Sequence, residues 1–274
     1  MSIVLIGTSG YSYNEWIGPV YAPGTRQEEF LAHYAQRFPT VELNFSYYRM
    51  PEAPQLAAMH KSAPSLQFSI KAHQSLTHTI DPSSWREQAL LFSHALEPLA
   101  ENQVLSAVLL QFPYSFHYEV TERKYLDSLL RSLSPFPLAI EFRNSSWYNN
   151  RTLDSLRERN IALASLDLPS VKGNPPMMDV KTSSSLAYIR LHGRNEETWW
   201  GSDSASRYDY LYSEKELASL LGRIQSFTTH AQKVLIYFNN HRRGQAAANA
   251  LTLYQLAVGG KACKEQVQAS SISM

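Results

Sequence analysis

The run Leu138-Ala-Ile-Glu-Phe-Arg-Asn-Ser-Ser-Trp-Tyr148 carries a carboxylate and a guanidinium two residues apart. Side chains alternate along an extended chain, so Ala139, Glu141 and Arg143 share one face while Ile140 and Phe142 share the other. If the apolar face packs on helices, the charged pair points into the middle of something. The C-terminal mouth of a closed parallel barrel is a middle in which such a pair can act. The same parity rule, applied to the other extended runs, turns Glu42 and Asn44, Lys71 and His73, Gln111, Ser165 and Asp167, Arg190 and His192, and Tyr237 and Asn239 with His241 toward that mouth. The first run leaves open whether Thr8 or the Gly7 and Ser9 face turns inward.

Three carboxylates (Glu42, Glu141, Asp167) thus balance three cations (Lys71, Arg143, Arg190). The plain alternative is a satisfied ion-pair plug, but a purely structural barrel can be filled with Val, Ile and Leu, so ionisable groups gathered at the mouth favour a ligand site. Arg143 and Arg190 can fork onto a phosphate or carboxylate while Lys71 acts as a point charge. Glu141 is the candidate base and His73 or His192 the candidate proton shuttle, with Asp167 completing the catalytic set. Glu42, Asn44, Gln111, Trp147, Tyr237, Asn239 and Asn240 complete the candidate binding set. The loops His192-Gly-Arg194 and Asn239 to Gly244 follow the last two strands, where this fold often holds phosphate; the solvated-charge alternative for Arg242 and Arg243 stays open.

A divalent metal is the competing chemistry, since Glu42, His73, Glu141, Asp167, His192 and His241 are ligand types. Lys71, Arg143 and Arg190 oppose a dication there, and no HExxH spacing is present, so no cofactor is expected. No nucleophile elbow occurs and the lone Cys263 lies near the C-terminus, which argues against covalent catalysis by Ser or Cys.

Eight apolar or β-branched runs must position these groups: Ile3 to Gly7, Thr40 to Asn44, Leu66 to His73, Ser106 to Phe112, Leu138 to Arg143, Ile161 to Asp167, Ala187 to His192 and Val234 to Asn239. Between them lie helical patterns at Gln27 to Arg37, Ala53 to Ser62, Ser84 to Leu99, Glu122 to Leu133, Thr152 to Asn160, Ser213 to Phe227 and Gln245 to Val258. The alternation predicts an α/β (β/α)8 TIM barrel, one domain over residues 1–260, with 261–274 as a disordered tail. The absence of GxGxxG and GxxxxGK[ST] weakens an open doubly wound sheet. Residues 168–185, with Pro169, Gly173, Pro175 and Pro176, predict an irregular crossover that folds over the mouth.

With 25 basic and 24 acidic residues the formal charge is +1, which gives no electrostatic reason for a polyanionic partner. A single Cys fits a reducing compartment, and the opening residues lack a signal-peptide pattern, so a cytoplasmic location without membrane contact is expected. Aromatic residues cluster after the strands: Tyr11 to Tyr21, Phe45 to Tyr48, Phe112 to Tyr118, Trp147 with Tyr148, and Trp199 to Tyr212. Such a lining suits the ring of a sugar or base, the alternative for any one Trp being that it anchors a loop to the rim.

Gly7-Thr-Ser-Gly-Tyr-Ser-Tyr, Val41-Glu-Leu-Asn-Phe-Ser-Tyr-Tyr, Ser69-Ile-Lys-Ala-His, Thr77-His, Leu110-Gln-Phe-Pro, Ile140-Glu-Phe-Arg-Asn-Ser-Ser-Trp, Tyr188-Ile-Arg-Leu-His-Gly and Tyr237-Phe-Asn-Asn-His, with a later Ala-Asn-Ala, resemble in order the YecE-like family, domain of unknown function 72. The resemblance spans roughly Ile3 to Val258 and implies a TIM barrel without an established reaction, akin in fold to apurinic endonuclease and xylose isomerase-like barrels. Two function classes follow. One is an enzyme acting on a phosphorylated or carboxylated ring-containing small molecule, with a non-catalytic ligand-binding barrel as its variant. The other is a nucleic-acid binding or processing protein, which the near-neutral charge disfavours.

Overall fold

The computed structural model describes residues 2–199 and 204–259; the expectation for 261–274 lies outside them. Its strands are β1 (Ile3–Ser9), β2 (Thr40–Leu43), β3 (Gln67–Lys71), β4 (Leu105–Phe112), β5 (Leu138–Phe142), β6 (Ala162–Leu163), β7 (Ser165–Asp167), β8 (Leu186–Leu191) and β9 (Lys233–Phe238). All pair in parallel, in the order β6-β5-β4-β3-β2-β1-β9-β8-β7. β6 and β7 are halves of one strand broken at Ala164. The first half pairs with β5 and the second with β8, so a single segment closes the cylinder. This is the α/β barrel that the alternation predicts.

The helices are α1 (Phe30–Ala35), α2 (Phe45–Tyr48), α3 (Ala53–Ser62), α4 (Trp85–Glu101), α5 (Val120–Ser132), α6 (Asn150–Glu158), α7 (Ser204–Arg207), α8 (Glu214–Thr228) and α9 (Gln245–Gly259). In α8, Leu217, Leu220, Ile224 and Phe227 recur at helical spacing and are buried. Its start is set by a capping box in which Ser213 and Glu216 satisfy each other's backbone N–H. Asn149 caps α6 through the Thr152 N–H at 3.0 Å. No helix among the described residues is long and apolar enough to cross a membrane.

Parity sorts the strands into two cores. Val4, Ile6, Val41, Phe68, Ile70, Ile140, Val234 and Ile236 face the helices. Leu5, Ala107, Leu109, Ala139, Leu186 and Leu235 fill the cylinder. The inner packing is apolar and polar side chains gather at the C-terminal end, which leaves room there for a site. On β1 the Gly7 and Ser9 face turns inward, because Leu5 lies in the inner cluster and Thr8 hydrogen-bonds Tyr34 of α1 on the outside.

The sixth strand departs from the sequence expectation. Ala162, Ala164, Leu166 and Leu168 face inward, so Ser165 and Asp167 face outward. Both faces of Ile161-Ala-Leu-Ala-Ser-Leu are small or apolar, so alternation alone does not say which is the barrel's. An irregular crossover replaces the helix that would cover this strand, as its Pro and Gly content predicts. Asp179 accepts from Arg223 of α8 at 2.9 and 2.8 Å and from Ser165 at 2.5 Å, holding the later part of the crossover against the flank. Leu168 and Val171, near its start, pack on the inner cluster and Asn174 accepts from Trp199 at 2.6 Å, but no residue of 168–185 lines the cavity at the mouth, so the crossover does not form the expected cover over it.

Gly7 marks the tightest strand contact: an added Cβ would lie 2.0 Å from the Thr40 carbonyl oxygen of β2. Backbone on both sides leaves no rotamer to relieve the clash. Gly7→Ala is expected to cost roughly 3 kcal/mol or more, read as a lowered denaturant midpoint, and a wild-type midpoint would contradict this packing.

Candidate functional site

At the C-terminal end of the barrel one guanidinium holds two carboxylates. Arg190 (β8) donates from Nη2 and Nε to the oxygens of Glu42 (β2) at 2.7 and 3.0 Å, and from Nη1 to Glu141 (β5) at 2.6 Å. Alternation brings them together: each lies two residues beyond an inward-facing Thr40, Ala139 or Tyr188. Glu42 also accepts from Ser9 at 2.5 Å and Tyr188 at 2.6 Å, and Glu141 accepts from Arg143 Nε. Arg190, Glu42 and Glu141 are all essentially buried. Burial would raise the Glu141 pKa, but Arg143 and Arg190 outweigh it and hold the carboxyl well below the ordinary range.

His192 is fully buried beside them. Asn239 donates to its Nδ1 at 3.0 Å, and its Nε2 lies 3.8 Å from Glu141. Burial first, then Arg143 and Arg190, push its pKa down to about 3, so the ring is neutral at physiological pH.

Two guanidiniums and two carboxylates cancel, which leaves Lys71 in excess. Its ammonium lies 4.2 Å from the centre of the Tyr47 ring and forms no ion pair among the described residues. Burial first, then Arg190, lower its pKa to about 7, against a smaller opposing pull from Glu141 and Glu42. His78, edge-on to the same Tyr47 ring at 4.8 Å, is pushed to about 4 by burial, then by Lys71 and Arg143.

Lys71, Arg143 and Arg190 open onto a cavity of about 660 Å³ whose wall also includes Asn44, Gln111 and Asn239. Tyr11, Tyr13, Phe45, Tyr48 and Tyr208 supply its aromatic lining, and Gln55 and Met59 of α3 complete one side. The Asn44 Oδ1 is buried and lacks a hydrogen-bond partner among the described residues. An acceptor in that state favours a donor supplied by a ligand or water.

His241 lines the cavity as well, and the other sequence candidates fall elsewhere. Asp167 faces outward and accepts from Arg194 at 2.8 Å, Arg223 at 3.1 Å and Tyr212 at 2.8 Å, because the strand's parity is opposite to that expected. Trp147 is buried between Phe116 and Phe142, with ring centres at 5.2 and 4.5 Å, and donates to the Phe116 carbonyl. It therefore anchors its loop instead of lining the mouth. Tyr237 lies deep in the cylinder, its hydroxyl between Thr40 at 2.7 Å and Ser69 at 2.8 Å. Asn240 points the other way, donating to the Tyr210 carbonyl and to Asn249. His73 caps a short turn through Ser75.

The two loops expected to hold phosphate use most of their charges internally: Arg194 pairs with Asp167 and Glu216, and Arg242 with Asp209 at 2.9 Å, while Arg243 is exposed and in no ion pair among the described residues. Among the described residues no three His, Cys, Asp or Glu side chains are grouped to hold a metal ion. Gln55 and Met59 lie beyond the parity rule, since they come from a helix, whereas Tyr208 belongs to the aromatic stretch Trp199 to Tyr212 expected to line the mouth. Tyr188 was within the rule's reach, two residues before Arg190 on the same face.

The sequence pattern of the family described as "Protein of unknown function DUF72" matches residues 5–271. The chain is similar to the UPF0759 protein YunF of Bacillus subtilis (strain 168), 28% identical over 269 residues that cover 93% of this chain and 94% of the relative. It is also similar to the crystal structure of a DUF72 family protein from Thermotoga maritima MSB8, with 37% identity, a TM-score of 0.84, and coverage of 93% and 98% of the two chains. Apo 3-keto-D-glucoside 4-epimerase from E. coli shares the fold alone, at 10% identity and a TM-score of 0.51 over 93% of this chain and 99% of that one.

The charge balance predicts opposite stability effects at two cations. Arg190→Ala leaves buried Glu42 without a cation and Glu141 with Arg143 alone, and is expected to cost about 3–5 kcal/mol. Lys71→Met removes a group whose pKa falls from 10.5 to about 7 on folding. Between those values the unfolded chain binds more protons than the folded one, so this lysine's contribution to stability rises with pH across the window and is least favourable at and below pH 7. Lys71→Met is therefore expected to stabilise by about 1–3 kcal/mol at pH 7 and less at pH 10. Denaturant midpoints at the two pH values check both signs.

Proposed function

The chain belongs to the DUF72 family, and on that premise we propose that the barrel mouth binds an anionic, ring-containing small molecule on which the protein acts as an enzyme. The observation that carries this reading is the uncompensated cation: Glu42 and Glu141 are already satisfied by Arg190 and Arg143, yet Lys71 faces the cavity without a carboxylate. A phosphate or carboxylate there would supply the missing charge, with Arg143, whose side chain keeps 18% of its exposure, as the second contact. The tyrosines of the wall offer π-faces to a ring, and Asn44 offers an acceptor to a hydroxyl.

The same geometry shifts roles among the residues. Glu141 is clamped by two guanidiniums and His192 is neutral and fully buried, so neither suits proton transfer to a ligand in the cavity. We assign both to holding Arg143 and Arg190 in place, and Arg190 to support more than to direct contact. Lys71 is the group best poised for acid–base work, because its pKa of about 7 lets it hold or release a proton near neutrality.

The pH dependence follows from Lys71 and the groups around it, Glu42, Glu141, Arg143, Arg190 and His78. Protonated Lys71 attracts the anion, and the bound anion in turn raises the lysine pKa above about 7. Affinity then falls as pH rises through that window, by up to about tenfold per pH unit. Calorimetric titration of ribose 5-phosphate against ribose between pH 6.5 and 9 checks it, with the phosphate as probe, not as presumed substrate. Selective binding of the phosphate that weakens with pH, and is lost in Lys71→Met, is the expected result. Equal affinity for ribose, or none for either, would remove the reading.

A further inference from the structure

We propose that Lys71 is a nucleophile that forms an imine with a small 2-oxo acid or related carbonyl compound, its carbonyl carbon presented to the amine by Arg143 acting on the neighbouring anionic group. The inference rests on the reading of the mouth as an anion site and deepens it by naming the reacting atom and the substrate class.

Lys71 is at the C-terminal end of β3 and reaches the cavity wall with no carboxylate or other ion-pair partner among the described residues. Its immediate neighbour is the face of Tyr47, a contact that does not consume the nitrogen lone pair in a strong hydrogen bond. Arg143 opens onto the same cavity and is fixed by Glu141, so its remaining N–H groups have a set direction. Two cations of different character therefore face one ligand. The guanidinium is permanently charged and suits a carboxylate or phosphate, whereas the amine exists in substantial part as the free base near pH 7. A lysine desolvated beside other cations is activated for attack on carbonyl carbon.

The step balances without an oxidant or a metal. The Lys71 lone pair forms a C–N bond as the carbonyl π pair moves to oxygen, and the oxygen takes up the proton that nitrogen gives up. The carbinolamine hydroxyl takes up a proton from solvent and leaves as water as the nitrogen pair forms the C=N bond, leaving an iminium that keeps its N–H and can act as an electron sink for bond cleavage or proton loss at the adjacent carbon. Hydrolysis by the reverse path restores the free amine. Tyr48, Gln111 and Asn44 also line the cavity and supply hydrogen-bonding groups around the departing oxygen.

The experiment is reductive trapping of the full chain with glyoxylate and sodium cyanoborohydride at pH 7, followed by intact-mass and peptide mapping. Hydride delivered to the iminium carbon makes the bond permanent. The free-amine fraction at pH 7 is roughly a thousandfold larger for a lysine of pKa about 7 than for an ordinary one, so a brief exposure should label Lys71 far ahead of the other lysines. Lys71→Met should lose that adduct. If that variant does not fold, the site mapped in the wild-type protein decides alone. Absence of label at Lys71, or label spread evenly over the lysines, overturns the proposal.

Ribose 5-phosphate titration separates the two claims. Binding without an adduct ends the imine proposal and leaves the anion site. An adduct without phosphate binding keeps Lys71 as the nucleophile but overturns presentation by Arg143 together with the anion reading.

Discussion

One guanidinium shared between two buried carboxylates is the constraint on which the mouth of this barrel depends. Glu42 and Glu141 come from β2 and β5, with β3 and β4 between them, and Arg190 of β8 reaches both. Neither carboxylate can leave the arrangement without stranding the others in a low-dielectric interior, where an unpaired charge is costly. The cluster is thus a fixed electrostatic floor. Whatever varies in charge at the mouth must come from the groups it leaves over, and among those facing the cavity Lys71 stands out.

That division explains why acidic and basic residues so close together do not all serve the same end. A carboxylate tied to two guanidiniums has lost its capacity to accept a proton near neutrality, and a histidine beside two guanidiniums stays uncharged. The lysine feels the same cations without a direct partner and is driven in the opposite sense from a salt-bridged one. Positioning and reactivity are separated onto different side chains, which is how a rigid scaffold can keep one group poised.

Much of the fold was legible in the sequence because the barrel repeats one unit whose apolar outer face is hard to mistake. On Leu138–Phe142 the face carrying Ile140 and Phe142 is uniformly apolar, and Glu141 falls where alternation puts it. Lys71, Gln111, Arg190 and Asn239 were reached in the same way, and all line the cavity. The rule failed at the sixth strand, where small apolar residues lie on both faces and Asp167 turns out to pair with arginines of the flank. It could not distinguish a deep tyrosine from a wall tyrosine at Tyr237, nor a loop anchor from a lining residue at Trp147, since burial depth is absent from periodicity. The roles of Glu141 and Lys71 were least legible, because they depend on which charges cancel in three dimensions.

The broken sixth strand has a mechanical consequence. Elsewhere each strand is stitched to both neighbours, but here each half holds only one, with Ala164 as the joint. The cylinder therefore has a seam, and ties by Arg223 to Asp179, Asp167 and Ser165 buttress it from outside in place of a covering helix. Relatives that lengthen or shorten the crossover would alter the hoop stiffness of the cylinder while leaving the charged floor between Glu42 and Glu141 untouched.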